Sequence, residues 1–223
     1  MKKVLLDIYK RLHNRFGSQN WWPGESQFEV IVGAILTQNT AWSNVEKAIK
    51  NLKREGLLSP KTLSKIKTSR LSRLIRPSGY YNIKAKRLRN FIDFLKTRYR
   101  GNLSKLFKIE TQTLRNALLN IKGVGPETAD SILLYAGNKP VFVIDSYTKR
   151  IFSRHRLIHK NDTYMQIQDF FMSNLPKNTK LYNEYHALIV KVGKDFCKKK
   201  KPKCNICPLN GLGISQFKDK YIA

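Results

Sequence analysis

The stretch Leu119-Asn120-Ile121-Lys122-Gly123-Val124-Gly125-Pro126-Glu127-Thr128-Ala129-Asp130, then an apolar helical pattern, then Val141-Phe142-Val143-Ile144-Asp145, decides the fold. Two glycines around one aliphatic residue predict a tight hairpin, because glycine alone reaches positive φ without a Cβ penalty. Pro126 suits the first turn of a new helix, where its missing N–H is not needed. The pattern is helix, hairpin, helix, and it sets a row of main-chain amides at a positive helix end, a shape that holds a phosphate. The run from Val141 to Ile144 reads as buried and delivers one carboxylate, Asp145, to the start of a further helix. By residue type alone an aspartate in that place is an N-cap.

The rest of the chain supplies charge. Among 223 residues, 43 Lys and Arg face 15 Asp and Glu, a net charge of +28. Solubility does not require so much, so a polyanion is the expected partner, and nucleic acid fits best. A hydrophobic content of 41% argues against disorder. No apolar run approaches the length needed to cross a membrane, and the start from Met1 to Leu12 carries Asp7 and helical periodicity rather than a signal peptide. The expectation is a cytoplasmic protein beside the chromosome, a monomer without a membrane partner. The three cysteines, Cys197, Cys204 and Cys207, cluster near the C-terminus. An odd, clustered set points to a metal site rather than a disulfide framework.

Helical spacing recurs along the whole chain. Val4, Leu5, Ile8, Leu12 and Phe16 share one face, and Glu25 to Leu36 reads as a buried helix. Val45, Ala48, Ile49 and Leu52 form the next stripe, and residues 60–75 hold two short helices. Ile83 to Leu95 reads as amphipathic, with Lys84, Lys86, Arg87 and Arg89 on its polar side, where they track phosphates or simply meet water. Helices are also expected over residues 146–155, where Lys149, Arg150 and Arg154 are placed to face DNA, and over 163–174 and 180–196. Strand patterning is almost absent, so the predicted class is all-α. The four histidines, at 13, 155, 159 and 186, are scattered and offer no catalytic constellation.

From Ile121 through Asp130 and on to Asp145, the sequence resembles the helix-hairpin-helix, Gly/Pro-rich loop and catalytic Asp of the endonuclease III superfamily of DNA glycosylases. The resemblance implies two helical lobes around a DNA-base cleft. One lobe would span residues 26–135 and hold the hairpin, with Lys122, Gly123, Val124, Gly125 and Thr128 on the strand backbone together with Lys149. The other would join residues 1–25 to 136–223 and carry Asp145 and a cysteine loop over 197–213. Leu36-Thr37-Gln38-Asn39-Thr40 resembles the superfamily loop whose glutamine fills the gap left by an extruded base, which assigns that role to Gln38. Asp145 would stabilise the oxocarbenium character of the sugar and orient the attacking water. Members that also cut the backbone carry a lysine two residues after the second hairpin glycine; here that position is Glu127, which cannot form an imine. A monofunctional glycosylase using water is the expectation.

Trp21-Trp22-Pro23, Trp42 and the segment from Arg76 to Asn82 together look like the 3-methyladenine DNA glycosylase III branch. That resemblance implies a base pocket from Trp21, Trp22, Pro23 and Trp42, suited to cationic N-alkylated purines, which indole faces attract. The spacing Cys197-x6-Cys204-x2-Cys207 resembles the first three ligands of the endonuclease III iron–sulfur loop, with Gly213 where a fourth cysteine would stand. A 4Fe–4S cluster with a non-cysteine ligand, a 3Fe–4S cluster and a loop without metal all remain open. So do two other functions: an endonuclease III-like glycosylase and lyase for oxidised pyrimidines, and a non-catalytic DNA-binding hairpin protein.

Overall fold

A computed structural model describes residues 1–212. Among these residues there are twelve α-helices and no strand, as the patterning predicts. The helices are α1 (Lys2–Phe16), α2 (Gln27–Leu36), α3 (Trp42–Arg54), α4 (Pro60–Lys65), α5 (Thr68–Leu74) and α6 (Tyr81–Tyr99). Then come α7 (Leu103–Phe107), α8 (Thr111–Leu119), α9 (Pro126–Ser131), α10 (Ser146–Arg154), α11 (Tyr164–Asn174) and α12 (Thr179–Asp195). A π-helical turn over Ile132–Ala136 continues α9. The chain divides into two compact units, one from Trp22 to Lys139 and the other combining Met1–Trp21 with the chain from Pro140 onward.

The Trp22–Lys139 unit is built around α2. A helix apolar on every side must be buried, and from Phe28 to Leu36 every residue of α2 is buried, packed by α3, α6, α9 and the π-helical turn. Ser26 caps it by accepting the Glu29 amide. The buried Glu29 carboxylate is met 3.0 Å away by Lys53 from α3. Full burial of each such Leu, Ile or Phe is worth about 1.5–3 kcal/mol, so the apolar core here outweighs any single polar contact.

The other unit gathers aromatic rings around the run 141–144. Phe142 stacks on Phe171 of α11 at 4.2 Å and 9°, and meets Tyr182 and Tyr185 of α12 edge-on. Such pairs add about 0.5–1.5 kcal/mol beyond burial. The Tyr185 hydroxyl donates to Leu5 O at 2.8 Å, fastening α12 to α1. Gln168 Nε2 donates to Phe142 O at 2.7 Å. Its bond satisfies part of a buried backbone that belongs to no helix or sheet. The run is therefore held in place, and Asp145 with it.

Candidate active site and DNA-binding hairpin

The hairpin stands on two apolar feet, Ile121 and Val124, at 6% and 4% exposure, while Lys122 and Gly125 face outward. Val124 N donates to Ile121 O at 2.9 Å, closing the turn. Gly123 has φ +97°, and a Cβ there would stand 2.3 Å from Arg87 Cγ. Gly125 departs from the expectation: its φ of −93° and ψ of 177° suit any residue. A Cβ at 125 would meet no atom within 4 Å, so what this glycine preserves is room on the outer side of the turn. Beneath the hairpin, Arg115 of α8 grips Asp130 of α9 through Nε to Oδ1 at 2.7 Å and Nη2 to Oδ2 at 3.0 Å. Both are buried; this fork fixes one helix against the other, and nothing in the local sequence announces it.

Gln38 joins the loop after α2 to the hairpin. Its Nε2 donates to Gly123 O at 3.0 Å and Thr128 Oγ1 at 2.8 Å, and its Oε1 accepts from Arg87. Both ends of the amide are thereby used within the unit. At the loop tip Asn39 is exposed with φ +53°. Three of the four cations expected on the polar side of α6 turn inward. Arg87 serves Gln38, and Arg89 donates to carbonyls at the end of α4, including Ser64 O at 3.0 Å. Lys84 is 1% exposed and donates to Leu36 O at 2.8 Å and Ser78 O at 2.6 Å. Burial, helped by the Arg87 charge, pushes its pKa down to about 8. Lys86 remains in water. Tyr80, just before α6, is 73% exposed with φ +46°; a large ring held out on a left-handed backbone is a functional signal that composition does not show.

Trp22 and Trp42 come together, ring centroids 5.2 Å apart and edge-on. Trp22 lies against α2 where Gly33 has no side chain: a Cβ there would be 3.0 Å from Trp22 Cζ2. A third ring, Tyr135 from the π-helical turn, stands 5.3 Å from Trp22; sequence reading missed it. The Trp42 indole N–H donates to Glu46 Oε1 at 2.8 Å. Pro23 is exposed beside them, and Trp21 ends the N-terminal segment of the other unit.

Asp145 is the N-cap of α10, and more. Its Oδ1 accepts the Thr148 amide at 2.7 Å and the Thr148 hydroxyl at 2.9 Å. Oδ2 points toward His186 of α12, whose Nε2 is 3.7 Å away. The carboxylate side chain is 10% exposed, so cap and reactive acid are compatible roles for one group, divided between its two oxygens. His186 corrects the reading of the histidines as scattered: burial pushes its pKa down and the Asp145 carboxylate draws it back up. Separation of 41 positions in sequence hid the pair.

The cations of α10 also turn to internal work. Lys149 Nζ donates to Asp162 O at 2.7 Å. Arg150 donates to Cys197 O at 2.8 Å and Gly193 O at 3.0 Å. Arg154 donates to Cys197 Sγ at 3.3 Å, Lys198 O at 2.7 Å and Lys199 O at 2.9 Å. These two arginines, expected on DNA, instead brace the cysteine loop. Cys197, Cys204 and Cys207 border one cavity of about 230 Å³. Among the described residues no set of side chains converges to hold a single metal ion. Burial raises the Cys207 pKa, a backbone hydrogen bond from Leu209 lowers it, and the neighbouring Cys197 and Cys204 raise it. Gly213 lies outside the described residues.

A clamped hairpin, a buried run ending in an acid at a helix start and an aromatic cluster define a class, the helical proteins that work on bases in DNA. Comparison with known proteins makes this specific. The model of the HhH-GPD superfamily base excision DNA repair protein matches residues 32–177. A Methanocaldococcus jannaschii protein named as a candidate DNA repair glycosylase is 50% identical over 216 residues, covering 96% of this chain and 97% of the relative. Endonuclease III of Thermotoga maritima is 30% identical over 180 residues, covering 81% and 79%. The structure of H. pylori 3-methyladenine DNA glycosylase bound to 1,N6-ethenoadenine superposes with a TM-score of 0.75 at 31% identity, covering 85% of this chain and 97% of that one. A non-covalent endonuclease III–DNA complex, with a TM-score of 0.81 at 22% identity over 98% and 99% of the chains, shares the fold. The chain belongs to the HhH-GPD superfamily of base excision repair proteins, and within it to the DNA glycosylases.

Proposed function

We propose that this glycosylase hydrolyses the N-glycosidic bond of alkylated purines such as 3-methyladenine and leaves the DNA backbone intact. The observation that carries the reading is the cluster of half-buried rings around Trp22 and Trp42. An aromatic face attracts a cationic ring by roughly 0.5–2 kcal/mol, and an N-alkylated purine is such a ring. The 3-methyladenine glycosylase that shares 31% of its sequence with this chain supports it. So does Glu127, an acid where a lyase needs an amine.

The chemistry asks little more. As the bond between C1′ and the base lengthens, positive charge grows on the sugar, and a fixed carboxylate lowers that barrier. Thr148 holds one oxygen of Asp145; the other, which lies 3.7 Å from His186 Nε2, would face the sugar and a water, whose proton it would take. A cationic base leaves without being protonated. Reaching it requires the nucleotide to rotate out of the duplex. Lys122 and the main chain of Gly123 and Gly125 would hold the strand there, on a hairpin that Val124 closes and that Gln38 and Thr128 brace from within. Tyr80 offers a face for a base to stack upon.

The cysteine loop is proposed to hold an iron–sulfur cluster from Cys197, Cys204 and Cys207. Three thiols with the spacing of an iron–sulfur loop border one cavity, together with His155. Bound there, the cluster would serve as a rigid cross-link beside the Lys198–Lys203 run, and removing Cys204 should abolish bound iron and visible absorption.

Mass-spectrometric identification of bases released from methylated genomic DNA tests the main proposal. Free 3-methyladenine, with strand breaks appearing only after alkali, is the expected result. Release of oxidised pyrimidines with a borohydride-trapped covalent adduct would favour an endonuclease III-like lyase. Binding to abasic DNA with no base released from any lesion would leave a non-catalytic binder.

A further inference from the structure

On the reading above that the cysteine loop holds an iron–sulfur cluster, we infer that His155 is the fourth protein ligand: its imidazole completes the donor set begun by Cys197, Cys204 and Cys207 and takes the role of the missing fourth cysteine.

Residues 213–223 contain neither cysteine nor histidine, so the segment where the loop resemblance expects a fourth thiolate supplies none. A 4Fe–4S cluster presents four iron corners, and three thiolates cover three of them. The fold brings a further donor from elsewhere. Helix α10 ends at Arg154, and His155 follows as its C-cap, its amide donating to Ile151 O at 3.1 Å. Arg154, next to it in the chain, reaches Cys197 Sγ at 3.3 Å and the carbonyls of Lys198 and Lys199. Arg150, one turn earlier, holds Cys197 O. The end of α10 is thereby tied to the start of the loop, and half-buried His155 borders the same cavity of about 230 Å³ as all three thiols. None of the other three histidines does.

The chemistry of the cavity wall singles out the imidazole. Besides the thiols, the polar side chains bordering it are those of Arg154, His155, Lys203 and Asn210. Arginine and lysine offer protons rather than lone pairs, and a side-chain amide suits harder ions, whereas imidazole is an ordinary iron ligand. The sulfurs are prepared for negative charge: Arg154 donates to that of Cys197 and the Leu209 amide to that of Cys207, the kind of N–H contact that tunes a cluster. The space is more than tenfold the roughly 10–15 Å³ that one water needs. A neutral imidazole in place of an anionic thiolate leaves the bound group one charge less negative, which makes it easier to reduce.

Anaerobic reconstitution of the whole protein with ferrous iron and sulfide, followed by pulsed electron paramagnetic resonance on protein carrying isotope-labelled histidine, tests this without any base release. A histidine nitrogen coupling should appear in the unaltered protein and vanish in His155→Ala and His155→Cys. His155→Cys should keep the visible absorption and iron content and be reduced at a lower potential, while His155→Ala should hold about three irons for every four sulfides. Circular dichroism of all three should agree. A cluster without nitrogen coupling in the unaltered protein, or full iron content and unchanged potential in His155→Ala, overturns the inference and leaves the cluster standing. Bound zinc in place of iron, lost in His155→Ala, would instead sink the cluster and keep His155 as the fourth ligand. No bound metal, or zinc indifferent to that variant, overturns both.

Discussion

Gly123 shows how much one residue can carry. Its positive φ and its closeness to Arg87 leave no place for a side chain, so Gly123→Ala must either shift Arg87 or distort the turn. The left-handed strain alone costs about 1–3 kcal/mol. Because Arg87 also holds Gln38, we expect at least a tenfold loss of affinity for abasic-site DNA, measured by anisotropy, with helix content retained by circular dichroism. Asp145 calls for the opposite kind of variant. Asparagine is as good a cap as aspartate, so Asp145→Asn should keep α10 and DNA affinity within about threefold, while excision falls by two to three orders of magnitude. Full turnover by that variant would remove Asp145 from the mechanism. The positions of hairpin and acid were legible because each is a local pattern. Their supports were not: Arg115 meets Asp130, and Asp145 meets His186, across distances in sequence that no periodicity encodes.

Among the helices, α6 departs most from its sequence reading. It runs from Tyr81 to Tyr99, beyond the expected 83–95, and its buried face is rotated: Ile83 is 51% exposed while Lys84 is buried. A lysine was assigned to solvent because an ammonium normally demands water; here two carbonyls at helix ends replace that water. The same contact has a pH signature. With its pKa moved from 10.5 to about 8 in the folded protein, Lys84 is protonated in both states below pH 8. Between those values the unfolded chain holds a proton that the folded one has released. Stability should therefore gain a rising contribution from about pH 8 to 10.5. Lys84→Met should lose that rise in denaturant titrations across the same range. At neutral pH it should also be less stable by about 1–3 kcal/mol, because two buried carbonyls lose their donor. The π-helical turn evaded sequence reading because the apolar run after Asp130 carries no residue that marks a widened turn.

At the scale of the molecule, charge and rings divide the labour. The net charge of +28 supplies attraction that does not depend on sequence, and counterion release makes it sensitive to salt. Affinity for undamaged duplex should fall roughly a thousandfold between about 50 and 200 mM monovalent salt, a slope that a filter-binding series would read directly. Discrimination between bases should change far less over that range, since it depends on short contacts. Composition announced the first property plainly; the second, on the function proposed above, would depend on the rings around Trp22 in the Trp22–Lys139 unit. That arrangement has a hidden adjuster. The seat of Trp22 exists because residue 33 lacks a side chain. One added methyl would nudge the indole outward and shift its contacts with Trp42 and Tyr135. Were these rings to receive the base as proposed, a lineage could change which lesions it accepts by altering a helix residue that never touches them.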